Sequence, residues 1–197
     1  MHRQISSMLL AAVAMLAAMR TMPAMAQDAS APQRGTLEAA FTYDAVRTEV
    51  ITGKSFWMQG GSAQLHGRFY RGLGVVADIA GMHTSNINSS GVGLDLVTAT
   101  FGPRYTWSRA HARYALYAQG LAGLGLGFNS VFPSPTGVNT VADNLAVKAG
   151  GGMNYALSPH VALRVFEADW LRTELPNSTT GVQNSLTLGA GIVFRMK

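Results

Sequence analysis

From about residue 35 onward, apolar and polar side chains alternate with a period of two. In DNLAVKAGGGMNYAL (residues 143–157), Lys148, Gly150, Gly152 and Asn154 share one face, and Leu145, Val147, Ala149, Met153 and Tyr155 share the other. A β-strand places successive side chains on opposite faces, so this pattern predicts a strand with one apolar face. It recurs about eight times, and no segment with helical period follows residue 35.

The predicted strands lie near 35–44, 56–69, 73–83, 94–107, 113–128, 143–157, 161–173 and 184–195. In the first, Leu37, Ala39, Phe41 and Tyr43 oppose Glu38, Ala40, Thr42 and Asp44. In the second, Ser62, Gln64, His66 and Arg68 share a face, and Gly60-Gly61 predicts a bulge or sharp curvature. In the fourth, Pro103 cannot donate to a ladder and predicts a strand end or an irregularity. Connections near residues 70, 109 and 159 are short, whereas 45–55, 84–93, 129–142 and 174–183 are longer and polar. Strands joined this way form an up-and-down antiparallel barrel.

Alternation alone does not say which face is inside. A soluble barrel buries its apolar face, whereas a membrane barrel turns that face to lipid. Two features favour lipid. Charged residues are only 13% of the chain, with 22 glycines, too sparse a set to coat a soluble surface. Aromatics also gather at strand ends on the apolar phase, where interfacial belts are expected. Phe69, Tyr105, Tyr155 and Phe194 lie at the short-turn end; Tyr43, Phe128 and Trp170 lie at the loop end, with Trp57 nearby. The expected fold is therefore all-β, an eight-stranded antiparallel up-and-down transmembrane β-barrel. Its closure avoids unpaired backbone in hydrocarbon.

The N-terminus fits that destination. Arg3 precedes an apolar run from Met8 to Ala18, and Ala24-Met25-Ala26 forms a small-residue site. This is the build of a signal peptide over 1–26, cut near Ala26-Gln27. Residues 27–34 are expected to form a flexible tail and residues 35–197 the barrel domain. Cysteine is absent, so neither a disulfide nor a lipid-modified cysteine is available. Residues 1–26 hold Arg3 and Arg20 and no acid, so the rest of the chain keeps +3 of the net +5. With no basic run interleaved with aromatics, nothing points to nucleic acid.

On the polar phase, Glu38, His66, Arg68, Asp78, Arg104, Lys148, Glu167 and Asp169 form a candidate lumen cluster. Opposite charges in a closed interior must satisfy one another, because an unpaired buried ion is costly. Arg164 shares the phase of Phe166 and Trp170, which predicts an outward side chain snorkelling to headgroups. His83, Asp95, Ser85, Ser89 and Ser90 gather near one longer loop without forming a motif. His111 and His160 fall in short turns. Asn177-Ser178-Thr179 matches a glycosylation sequon. No spacing suggests a metal or cofactor site.

Taken along residues 35–195, this pattern resembles the small outer-membrane β-barrel proteins of the OmpA/OmpX-like type that lack a periplasmic binding domain. The most specific part is the last strand, where Leu186, Leu188, Ala190, Ile192 and Phe194 alternate and end on an aromatic. The resemblance implies that this strand is the signal read by the barrel-assembly machinery, although Arg195, Met196 and Lys197 follow the usually terminal aromatic. It implies a charge-paired plug in the lumen, outer-membrane lipid and lipopolysaccharide as surroundings, and an outer-membrane address. The four longer connections would present an extracellular ligand-binding surface. The expected function is non-catalytic: envelope integrity or surface interaction. A narrow ion or solute channel comes second, and a lipid-modifying enzyme, which the family also contains, third.

Overall fold

The computed structural model describes residues 37–51, 54–87, 92–108, 112–134, 137–177 and 181–196. The export segment 1–26 with its cut, the tail 27–34, Ser89, Ser90, His111, Ser178, Thr179 and Lys197 lie outside them. The strands are β1 (Leu37–Ile51), β2 (Lys54–Tyr70), β3 (Leu73–Thr84), β4 (Leu94–Ser108), β5 (Tyr114–Ser134), β6 (Gly137–Ala156), β7 (Val161–Thr173) and β8 (Gln183–Met196). Each pairs antiparallel with the next, and β1 pairs with β8 from Leu37↔Met196 to Glu49↔Asn184. The barrel is closed, so no described strand presents a free edge.

The facing is the reverse of a soluble protein. Phe41 is 57% exposed and Ile79 53%, whereas Asp78 and Lys148 are each 1% exposed. The apolar stripe is the outside surface. A continuous apolar exterior of this kind suits hydrocarbon and not water.

Two expected loops are largely strand. β1 runs on to Ile51 and β2 begins at Lys54, so most of 45–55 is ladder. β5 and β6 likewise extend to Ser134 and from Gly137, turning most of 129–142 into a hairpin. Polar composition suggested loop, but Val46, Thr48, Val131 and Val138 are β-formers, and a ladder projecting into water tolerates polar side chains on both faces. The described residues between Thr84 and Leu94 and between Thr173 and Gln183 belong to no strand, as expected.

The irregularities also differ from expectation. Pairing runs unbroken through Gly60-Gly61, with Asp44↔Gly60 and Tyr43↔Gly61. Glycine there serves close approach, because a Cβ on Gly60 would sit 1.9 Å from the Gly81 carbonyl oxygen. At Pro103 the ladder to β5 lapses between Phe101↔Ala122 and Arg104↔Gln119, as a missing N–H requires. The consequential bulge lies in β7, where Arg164 pairs with Gly191 and Glu167 with Gly189. β7 therefore spends one residue more than β8 over this stretch, and both Val165 and Phe166 face outward.

Gly191 is required at the seam that closes the barrel. A Cβ there would lie 1.9 Å from the Phe41 carbonyl oxygen, which is backbone and cannot rotate away. Gly191→Ala is expected to cost about 1–3 kcal/mol, as overpacking does. Gly81→Ala, with nothing within 4 Å of the new Cβ, should leave the urea midpoint unchanged. Equal midpoints for the two variants would show that the seam yields freely.

Candidate functional site

The inward phase of the strands brings most of the polar set into one network. Lys148 Nζ on β6 donates to Asp78 Oδ1 on β3 at 2.7 Å, with both side chains buried. Gln64 on β2 is the hub. Its amide nitrogen donates to Asp78 Oδ2 at 2.9 Å and to Glu167 Oε1 at 2.8 Å. Its carbonyl oxygen accepts from Arg104 Nη2 at 2.5 Å and from Arg164 Nη1 at 2.7 Å. Two donors and two lone pairs are thus fully used, the most a glutamine amide can offer.

Around this hub, Arg104 Nε donates to Gln119 Oε1 at 3.0 Å, and Gln119 Nε2 donates to both oxygens of Asp169 at 3.1 Å. Arg164 Nη1 also pairs with Glu167, and its Nε donates to Asn154 Oδ1 at 3.2 Å. The Tyr117 hydroxyl donates to Glu167. The Arg104 and Arg164 guanidiniums sit 4.3 Å and 5.0 Å from the centre of its ring, where the π face attracts cations. Nearer the short turns, His66 Nδ1 lies 3.1 Å from Glu38 Oε2, and Arg195 Nε donates to Glu38 Oε1 at 3.1 Å. Arg68 shares this inward phase, and its Nε has no hydrogen-bond partner among the described residues. Charge-assisted bonds in a low-dielectric interior hold such a cluster tightly in register.

Glu38, His66, Arg68, Asp78, Arg104, Lys148, Glu167 and Asp169 all sit on the inward phase. Arg164 does not follow its predicted facing: it is 1% exposed and central to the network. The β7 bulge between Arg164 and Glu167 shifts the phase by one, so counting back from Phe166 gives the wrong face. Tyr117, Gln64, Gln119 and Asn154 were missed as site members. Gln64 shares the parity of His66 and Arg68, and Asn154 that of Lys148, so those two are legible in the pattern, whereas β5 carries no charged residue to mark Tyr117 and Gln119.

Among the described residues, the ion pairs of the interior lie in its lower part. Toward the loop end, the same inward phase carries Val46, Phe56, Met58, Met82, Leu96 and Leu171, all buried in one apolar cluster. On the outside, Tyr43, Phe69, Tyr105, Tyr155, Trp170 and Phe194 are exposed and Phe128 is half-buried. Trp107 and Tyr114 also lie exposed on this outer surface, and Trp107 packs edge-on against Tyr105 at 4.6 Å. Leu186, Leu188, Ala190, Ile192 and Phe194 face outward along β8. The residues after Phe194 continue the ladder to β1 as Glu38↔Arg195 and Leu37↔Met196.

The pairing brings His83 and Asp95 together on the outer surface, with His83 Nδ1 2.5 Å from Asp95 Oδ1. The Asn129 amide donates to the other carboxylate oxygen. These contacts tie together β3, β4 and the β5 bend. Among the described residues, no group of three or more His, Cys, Asp or Glu could hold a metal ion.

The chain matches the family described as outer membrane protein beta-barrel domain over residues 9–194. Among solved structures it is similar to the Neisserial surface protein A (NspA), with a TM-score of 0.62 at 14% identity, covering 83% of this chain and 100% of that one. It is also similar to Ail, the attachment invasion locus protein of Yersinia pestis, with a TM-score of 0.56 at 18% identity, covering 82% and 99% respectively. At these identities the likeness concerns the fold. No curated protein matches the chain.

Proposed function

Because the chain belongs to the outer membrane protein beta-barrel domain family, we propose that it is a sealed, non-catalytic barrel of the bacterial outer membrane, serving envelope integrity or surface interaction. The observation that carries this reading is the cross-barrel network around Gln64, whose own amide is fully used. Three buried cations, Arg104, Lys148 and Arg164, are interleaved with Asp78, Glu167 and Asp169 across the barrel, and an ion passing through would have to break several of these bonds at once. An eight-stranded barrel has an interior just wide enough for side chains to fill.

In this reading residues 1–26 are the export signal, cut near Ala26-Gln27, residues 27–34 a tail and 35–197 the barrel domain. The outward aromatics rest at the two lipid interfaces, amid phospholipid and lipopolysaccharide. The outward stripe of β8 ending at Phe194 is what the barrel-assembly machinery reads. Partners meet the projecting β1–β2 and β5–β6 hairpins and the loops at 84–93 and 174–183. A rigid scaffold presenting variable tips is a common way to organise recognition. Ail has been solved in complex with the heparin analogue sucrose octasulfate, so a barrel of this fold can carry a ligand.

The test is conductance across a planar bilayer. A sealed scaffold should leave the membrane insulating, with only brief, rare openings. Sustained ohmic steps would overturn this reading in favour of the narrow channel.

A further inference from the structure

The apolar upper lumen holds a half-open cavity of about 210 Å³ at the loop end of the barrel. Its walls include Phe56 and Met58 of β2, Leu96 of β4, Phe132 of β5 and Leu175 of the β7–β8 loop. Phe132 reaches this position through a break in β5: the register to β6 shifts between Phe128 and Phe132, and Asn129 adopts φ 56°. The bend brings Phe132 back over the barrel mouth. There a Cβ on Gly127 would lie 2.7 Å from the Phe132 ring and 3.0 Å from Leu175 Cδ1, so glycine alone lets this roof close down.

The lining carries no charged side chain among the described residues. Its polar groups are largely spent on one another. Thr48 and Ser185 share a hydrogen bond of 2.9 Å, and Thr173 donates to Gln183 Oε1 at 3.1 Å. Gln183 also accepts from the Leu175 amide and donates to the Leu175 carbonyl. A polar ligand would have to break these pairs, whereas a hydrocarbon would leave them intact. An apolar cavity of about 150 Å³ accepts benzene, so this one has room for a somewhat larger group.

We propose that the barrel mouth is a binding site for a neutral hydrocarbon group, a substituted single ring or a short alkyl chain, held between Phe56, Met58, Leu96, Phe132 and Leu175. The group arrives either as a free apolar molecule or as the acyl end of a lipid. This function lies beyond the scaffold role and does not depend on whether the charged plug conducts.

Methionine methyls provide internal reporters, because Met58 lines the cavity and Met82 belongs to the same buried cluster, while Met153 lies on the outward phase. The protein, carrying 13C-methyl methionine, is placed in phospholipid nanodiscs and titrated with toluene. The Met58 and Met82 signals should shift and saturate, while Met153 drifts linearly as toluene enters the bilayer. Leu96→Trp, which fills the cavity, should abolish the saturable shift and leave the Met153 drift. Phe132→Ala, which keeps the other walls but removes the roof, should weaken toluene binding by about tenfold, equivalent to about 1.4 kcal/mol. If a lipid acyl chain is the occupant, nuclear Overhauser contacts from the Met58 methyl to bilayer acyl protons appear before toluene is added and fade as it binds. A Met58 signal that drifts in parallel with Met153, saturates equally in both variants, or shows neither acyl contact nor saturation overturns the proposal.

Discussion

Lys148→Met is expected to destabilise the barrel by about 3–5 kcal/mol, the usual consequence of removing one partner from a buried ion pair. The lysine is 1% exposed and bonds Asp78 at 2.7 Å. Without it, Asp78 keeps, among the described residues, only the Gln64 amide as a hydrogen-bond partner. The loss is a large share of a stability that rarely exceeds about 15 kcal/mol. The double variant Lys148→Met, Asp78→Asn should recover much of it, because the uncompensated carboxylate is gone. The two effects are therefore strongly non-additive, as expected for residues in contact. Reversible urea unfolding in lipid vesicles, followed by Trp fluorescence, measures both. A single variant costing less than about 1 kcal/mol would mean that water solvates the interior well enough to stand in for the lysine.

The second large effect concerns the outside. Ile79 lies midway along β3, faces outward, and is flanked by Ala63 of β2 and Ala99 of β4. If that surface meets hydrocarbon, Ile79→Arg costs about 2–4 kcal/mol, because the charge sits near the bilayer midplane. His83→Arg, four residues further toward the loop end on the same face, costs only about 0–1 kcal/mol, since the side chain reaches headgroups. The same vesicle assay compares the two. A depth-independent pair of values, or an Ile79→Arg chain that gains solubility without detergent, would refute the lipid-facing exterior.

Much of the architecture was legible before any coordinates. Alternation over residues 143–157 placed Lys148 on one face and Leu145 and Tyr155 on the other, as observed. The same parity placed Glu38, His66, Asp78, Glu167 and Asp169 inside. Strand ends were read less well, because ladders that leave the bilayer carry polar residues on both faces. Val46 and Thr48 continue the inward phase of β1, yet their polar neighbours suggested a loop. The apolar upper lumen escaped notice for the same reason: Phe56 and Met58 obey the inward parity of β2 but lack the polarity by which that face was recognised.

The amino-acid order by itself determined that this chain forms strands with two unlike faces, and which residues share each face. Parity is a local property of extended backbone and needs no partner. Only the tertiary structure decided the bulge at Val165 that turns Arg164 inward, the bend at Asn129 that lays Phe132 over the mouth, and the choice of Gln64 as hub. Each depends on contacts between residues distant along the chain, such as Gln64 with Glu167, 103 positions apart, which meet only when β8 closes onto β1.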